Sequence, residues 1–254
     1  MKIPQYKDVS PSDVTMAEAK ARYSAIVLGA TGNVGGRIVH LLIKNPLCQK
    51  VVVVTRRTTN AFADPKVSEV VVNMDRFEEG VGPHAQGVDV ALAAFGVGKG
   101  SAKMPEEEVR TIEVAYPQAF CHAAWTGGAR VCGVMTAMGA DPKAATRYAK
   151  IIGEKEKAVE SLEFDFLGVF RPSVILGNSN TPGVLAYVMP LLDRVMPSRY
   201  HSIHKNDLAR AMVAQSEQAF FAIAQGDAPQ EARVKILEYK EMQPFFVTGE
   251  RDEA

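Results

Sequence analysis

Residues 25–35 read AIVLGATGNVG. Ala25–Gly29 is a short, wholly apolar run, as expected of a strand covered on both faces. Gly29, Gly32 and Gly35 follow at a spacing of three. From Gly35 to Lys44, Ile38, Leu41 and Leu42 recur on one side of a helix. Three glycines at such a strand-to-helix turn each have a physical use. One permits the tight turn, one lets the backbone approach a pyrophosphate, and one lets the helix pack closely on the sheet. The helix's first amides then face phosphate oxygens. Gly29, Thr31, Gly32, Asn33, Val34 and Gly35 are therefore the expected phosphate cradle. The plainer reading of the loop is a bare structural turn.

Outward from this loop, strands and helices alternate. Val51–Thr55, Val67–Asn73, Val88–Phe95, Arg130–Thr136 and Phe164–Arg171 read as further strands. A long helix is expected from Pro105, acidic at its start and kinked at Pro117. Asp141-Pro142 reads as an N-cap opening a helix to about Leu162. Within that helix, residues 154–160 (EKEKAVE) read as a solvated face. Helices at Pro182–Val195 and Asn206–Ala224 and a strand at Val234–Leu237 close the chain. The pattern predicts an α/β protein with a single-domain, Rossmann-type doubly wound parallel sheet. Residues 1–22 are expected to be a lead-in, residues 23–254 the dinucleotide-binding domain, and the part from about 178 a small cap.

The end of the second strand sets cofactor choice. NAD-binding folds place an acid there for the ribose hydroxyl. This chain has Arg56-Arg57, whose guanidinium groups match a 2′-phosphate in charge and geometry. NADP(H) is the expected cofactor. Two solvated arginines are the alternative. Asp75 is a candidate for the adenine edge or a helix N-cap.

The run GATGNVG, the strand-end TRR, AAFGVGKG, VMTAMGAD, Tyr148, GEKE and FRPSVILG together resemble the short-chain dehydrogenase/reductase superfamily. More narrowly they resemble its atypical, Tat-interacting oxidoreductase-like branch, over roughly residues 24–180. The resemblance implies hydride transfer between nicotinamide and a carbonyl or alcohol. It implies Tyr148 as acid/base and Thr136 in place of the family serine that holds the substrate oxygen. It places Phe95, Gly96, Arg171, Pro172 and Ser173 beside the cofactor. The family's Tyr-x-x-x-Lys is broken, because Ile152 stands where the lysine belongs. A phenol of pKa near 10 is a poor base at neutral pH unless a cation stabilises the phenolate. Two functions follow: an NADP(H)-dependent oxidoreductase acting on a small carbonyl substrate, or a catalytically silent NADP(H)-binding regulator acting through a protein partner. An epimerase is a third reading, but its relatives carry a larger C-terminal substrate domain.

Charge and composition narrow the partners. Lys plus Arg is 29 and Asp plus Glu is 29, so no basic field favours nucleic acid or a membrane surface. No apolar run is long enough to span a bilayer. Cys48, Cys121 and Cys132 are sparse and far apart in sequence, as in a reducing compartment. The polar, acid-containing N-terminus resembles neither a signal nor a transit peptide, which points to a cytoplasmic location. His201, His204 and Asp207 fall three apart but lack a second ligand pair, so no metal is expected.

Overall fold

The computed structural model describes residues 22–97, 101–177, 189, 191–193, 195–226 and 233–246. Seven strands form one parallel sheet: β1 (Tyr23–Leu28), β2 (Cys48–Thr55), β3 (Val67–Val71), β4 (Val90–Ala93), β5 (Val131–Met135), β6 (Phe166–Phe170) and β9 (Val234–Leu237). Their spatial order is β3-β2-β1-β4-β5-β6-β9. The order reverses between β1 and β4, and ligands of open α/β sheets bind beyond the strand ends at such a reversal. Every strand expected from the sequence is present: the first two begin earlier than expected, at Tyr23 and Cys48, the last has the expected bounds, and the others are shorter. A two-stranded parallel pair, β7 (Ile175–Leu176) and β8 (Ile203–His204), lies apart from this sheet.

Alternate residues of β1 face opposite cores, as a period of two requires. Ala25 and Val27 pack with α1 (Asn33–Lys44) and α6 (Lys205–Ala224), while Ile26 and Leu28 pack with α2 (Phe77–Ala85) and α4 (Tyr116–Thr126). Ile38 of α1 is fully buried in the first core. A large-to-small change there, such as Ile38→Ala, costs about 2–5 kcal/mol. Cys121 of α4 and Cys132 of the next strand meet in the second core with their Sγ atoms 3.6 Å apart.

Four elements depart from the sequence reading. α1 begins at Asn33, two residues before Gly35. α2 is not expected from the sequence: Gly80, Gly82 and Pro83 lower its propensity, but Phe77, Val81 and Ala85 give it a buried stripe. The long helix is not simply kinked. α3 (Glu106–Arg110) runs into a π-helical turn, Thr111–Ala115, and then into α4. Pro117 has no N–H, and its ring opposes the carbonyl of residue 113 in an α-helical register. The chain answers with a wider turn in which Tyr116 N–H donates to Thr111 O.

The fourth departure is α5, which spans Arg147–Glu160 and does not start at Pro142. Asp141 instead closes a turn in which its carboxylate accepts from Lys143 N–H at 2.8 Å. That turn lies directly on Gly153, where a Cβ would come within 2.2 Å of Pro142 N. The stretch 154–160 is not a solvated face throughout. Lys155 is 1% and Glu156 8% exposed, whereas Lys157 and Glu160 form an exposed ion pair. The expected helix at 182–195 falls mostly outside the described residues, as does nearly all of the lead-in.

Candidate functional site

The glycine turn leaves β1 at Gly29, whose φ of +89° suits glycine alone. A Cβ at Gly29 would lie 2.3 Å from Ala94 O, and one at Gly35 would lie 2.1 Å from Gly29 O. These two glycines press the turn onto β4 and α1 onto the turn. Gly32 is different: it is exposed, at φ −81°, and the nearest atom to an added Cβ would be Gly29 O at 3.1 Å. Among the described residues no side chain caps α1, and its first turn carries no acid, so the positive end of the helix meets no carboxylate of its own. Thr31 is exposed, Asn33 half-buried and Val34 buried.

Arg56 and Arg57 follow β2 and are both exposed. The loop after them is held by Glu69 of β3. Its carboxylate accepts from Thr59 N at 2.8 Å, Thr59 Oγ1 at 2.7 Å and Asn60 N at 3.2 Å. Those hydrogen bonds, that of Thr59 Oγ1 foremost, hold its pKa below the ordinary glutamate value. Asp75 sits in a short 3-10 turn. Asn73 rather than Asp75 does the capping, its Oδ1 accepting from Asp75 N at 2.9 Å. Asp75 also lines an open cleft of about 490 Å³ between α2 and α4, to which the glycine turn contributes nothing. Proximity to the turn carries more weight here than cleft size, since phosphate binding needs backbone amides.

Beyond β4 the chain passes through Phe95, Gly96 and Val97. Lys155 Nζ of α5 donates to Phe95 O at 2.9 Å and lies 3.5 Å from Glu113 Oε2. Glu113, from the π-helical turn, accepts from Val97 N–H at 2.8 Å. Lys155 and Glu113 are 1% and 3% exposed. Burial lowers the lysine pKa, and the Glu113 carboxylate opposes that shift. Next to them a half-buried Arg110–Glu154 ion pair ties the end of α3 to the middle of α5. The pairing is not evident from the sequence, where Glu113 carries no signal of its own and Lys155 stands too far from Tyr148 to replace the missing cation.

Tyr148 lies in the first turn of α5 and is 45% exposed. Its hydroxyl makes no hydrogen bond to another described residue. Partial burial and the Glu113 carboxylate push its pKa well above the ordinary phenol value. Ile152 is 1% exposed, one turn further into the helix. Thr136, at the end of β5, is buried. Its Oγ1 is 2.8 Å from Glu156 Oε1 and 3.2 Å from Phe170 O, so its hydroxyl is directed to these acceptors and not to Tyr148. Glu156 also receives Arg171 in a bidentate pair, with Nε to Oε1 at 2.9 Å. Arg171 is thus drawn toward α5. Pro172 O accepts from Met138 N at 2.9 Å, and Ser173 Oγ donates to His201 O, with Tyr200 O further off at 3.2 Å. The structure brings the glycine turn, Phe95 and Gly96 together, but engages Thr136 and Arg171 with Glu156, and Ser173 with the backbone of Tyr200 and His201.

The two histidines of the His201, His204 and Asp207 group have local partners. His204 caps α6, its Nδ1 accepting from Asn206 N at 3.3 Å, and His201 Nε2 lies 2.9 Å from Met196 O. Among the described residues no group of three or more His, Cys, Asp or Glu is placed to hold a metal ion. No helix among them is long and apolar enough to cross a membrane.

The sheet order, the glycine turn and the helix after β5 that carries Tyr148 define the fold of NAD(P)-binding short-chain dehydrogenase/reductases. No family model matches the chain. It is 30% identical to the mitochondrial protein FMP52 of Candida albicans over 156 residues, covering 61% of this chain and 68% of that protein. It is 30% identical to HTATIP2 of Rattus norvegicus over 155 residues, covering 60% of this chain and 63% of that protein. Among solved structures, WbmH of Bordetella bronchiseptica in complex with NAD+ aligns at TM-score 0.58 and 15% identity, covering 85% of this chain and 86% of that one. BdcA in complex with NADPH aligns at TM-score 0.60 and 16% identity, covering 78% and 89%. The chain belongs to the atypical branch of the short-chain dehydrogenase/reductase superfamily that contains FMP52 and HTATIP2. The cytoplasmic expectation is overturned by this kinship, since FMP52 proteins from several fungi are named mitochondrial. Composition reports how a chain folds and only weakly where it is delivered.

Proposed function

We propose that this chain binds NADP(H) at the glycine turn and acts chiefly as a dinucleotide-binding protein of oxidoreductase fold, with little carbonyl chemistry of its own at neutral pH. One observation carries the second half: the Tyr148 hydroxyl has a buried isoleucine where a cation is needed, and its pKa is raised. A phenol in that setting neither loses a proton easily nor gains help in doing so. The residues present fit a dinucleotide. Gly32 leaves backbone accessible to a pyrophosphate, α1 offers its positive end, and Arg56 and Arg57 stand where a 2′-phosphate would be read. When bound, the nicotinamide supplies hydride chemistry. The chain's own residues orient the phosphates and ribose. Tyr148 is the group that would exchange a proton with a substrate oxygen.

If the dinucleotide is the ligand that matters, its redox state or occupancy would be passed to a protein partner. The names of the fungal relatives support a mitochondrial location for this chain too. Calorimetric titration with NADPH and NADH tests the reading. A charge-assisted contact of about 1.5–3 kcal/mol corresponds to roughly one to two orders of magnitude in favour of NADPH. Replacing Arg56 and Arg57 with alanine should erase that preference and leave NADH affinity little changed. Equal affinities in the unmodified protein, or a preference for NADH, would overturn the cofactor assignment.

A further inference from the structure

We infer that the buried Lys155–Glu113 pair is a positioning device that sets the course of the chain leaving β4 and so preforms one wall of the dinucleotide groove; this rests on the reading of the glycine turn given above. The argument begins with cost. Two charges withdrawn from water at 1% and 3% exposure gain little net stability over apolar side chains of similar size. Stability alone is therefore a weak reason for them.

Their hydrogen bonds point to another use. The β1–β4 ladder ends with Ala94 N donating to Leu28 O at 3.0 Å. Beyond it, Phe95 O receives Lys155 Nζ at 2.9 Å, and Val97 N–H donates to Glu113 Oε1 at 2.8 Å. The pair takes over the backbone where the sheet gives out. Between these contacts Gly96 lies against the carboxylate, so that a Cβ there would come within 2.8 Å of Oε1 and 2.9 Å of Oε2.

The same segment abuts the glycine turn, because a Cβ on Gly29 would lie 2.3 Å from Ala94 O and 3.1 Å from Phe95 N. A shift at Phe95 is felt directly at Gly29. The two charges arrive from different helices. Lys155 comes from α5, and Glu113 comes from the π-helical turn beside Pro117. Lys155 is a positioning residue, not a substitute for the missing catalytic lysine, since its ammonium is buried and already bonded to Phe95 O and paired with Glu113.

The test uses Lys155→Met, Glu113→Gln and the double variant Glu113→Leu/Lys155→Met, each read in three ways. These are thermal stability, amide exchange at Val97 without ligand, and the NADPH dissociation constant. Either single change should speed Val97 exchange and weaken NADPH binding roughly tenfold or more. The double variant removes both charges and should recover stability close to that of the unmodified protein. It should nonetheless keep the fast Val97 exchange and the weak binding. That split separates positioning from plain stabilisation and stays readable even if a single variant folds poorly. A double variant with unmodified exchange and affinity would overturn the inference. A protein that binds no NADPH before any change would sink the reading of the glycine turn instead. In that case Val97 exchange alone would decide whether the pair holds the strand exit.

Discussion

Ile152 and Tyr148 lie one helical turn apart, and their environments differ sharply: Ile152 is 1% exposed and Tyr148 45%. Supplying the absent lysine through Ile152→Lys would bury an ammonium three residues from Lys155, close on the same helix face. An uncompensated buried charge costs about 3–5 kcal/mol. The variant is expected to melt earlier than the unmodified protein and gain no turnover. NADPH consumption across a panel of ketones, aldehydes and quinones should be very slow near neutral pH, because Tyr148 stays protonated. Fast consumption that Tyr148→Phe abolishes would show that another group activates the phenol. Fast consumption that survives Tyr148→Phe would place the chemistry elsewhere. The glycines and the displaced lysine position are legible in the sequence because their spacing is local. Lys155 and Glu156 are not, because alternating charges look like a solvated face. One signal is there: Ile151, Lys155 and Val159 recur every four residues, so Lys155 shares the stripe that its apolar neighbours bury.

At the scale of elements, β3 holds the loop after Arg56-Arg57 through one carboxylate. Glu69 ties Thr59 and Asn60 to the sheet, and Asn60 adopts a φ of +52° within that tie. The folded protein holds the Glu69 pKa below its ordinary value, so the carboxylate's contribution is complete above the unfolded pKa. It is lost as pH falls through the folded value. Amide exchange at Thr59 and Asn60, corrected for the intrinsic pH dependence of exchange, should therefore accelerate below about pH 4, where a free glutamate protonates. Glu69→Gln should show that acceleration already at neutral pH, with a loss of NADPH affinity larger than the loss of NADH affinity. Unchanged exchange and selectivity in Glu69→Gln would mean that the loop orders itself without the carboxylate. The other element-scale device is Pro117, which reads as a kink. What sequence pattern could not supply is how the chain absorbs it. The missing donor is accommodated by a π-helical turn whose own residue, Glu113, reaches the strand exit. α2 is hidden for a related reason, since glycine and proline depress local propensity while its stripe is satisfied only by packing against α4.

For the whole molecule, the doubly wound parallel sheet followed from the alternation of apolar runs and helices, whereas the order β3-β2-β1-β4-β5-β6-β9 comes from the structure. The glycine turn at the order reversal joins β1, β4 and α1, so a ligand seated there contacts parts of the chain that separate on unfolding. Binding to the folded state alone stabilises by about 2.7 kcal/mol when free ligand is one hundred times the dissociation constant. For a domain of this size each kcal/mol shifts the midpoint by about 2–4 °C. Saturating NADPH should therefore raise the melting temperature by roughly 5–10 °C. Gly32→Val provides the control. Its φ of −81° lies in a region valine adopts readily, and the nearest atom to an added Cβ is 3.1 Å away, so the fold should persist with small adjustments. Alanine at Gly29 or Gly35 would instead collide with backbone at 2.3 Å or 2.1 Å and break the turn itself. Gly32→Val is expected to melt close to the unmodified protein without ligand and to show no shift with NADPH, because the added methyl groups occupy the approach to the pyrophosphate. A full ligand-induced shift in Gly32→Val would mean that the dinucleotide, if bound, does not pass over this loop.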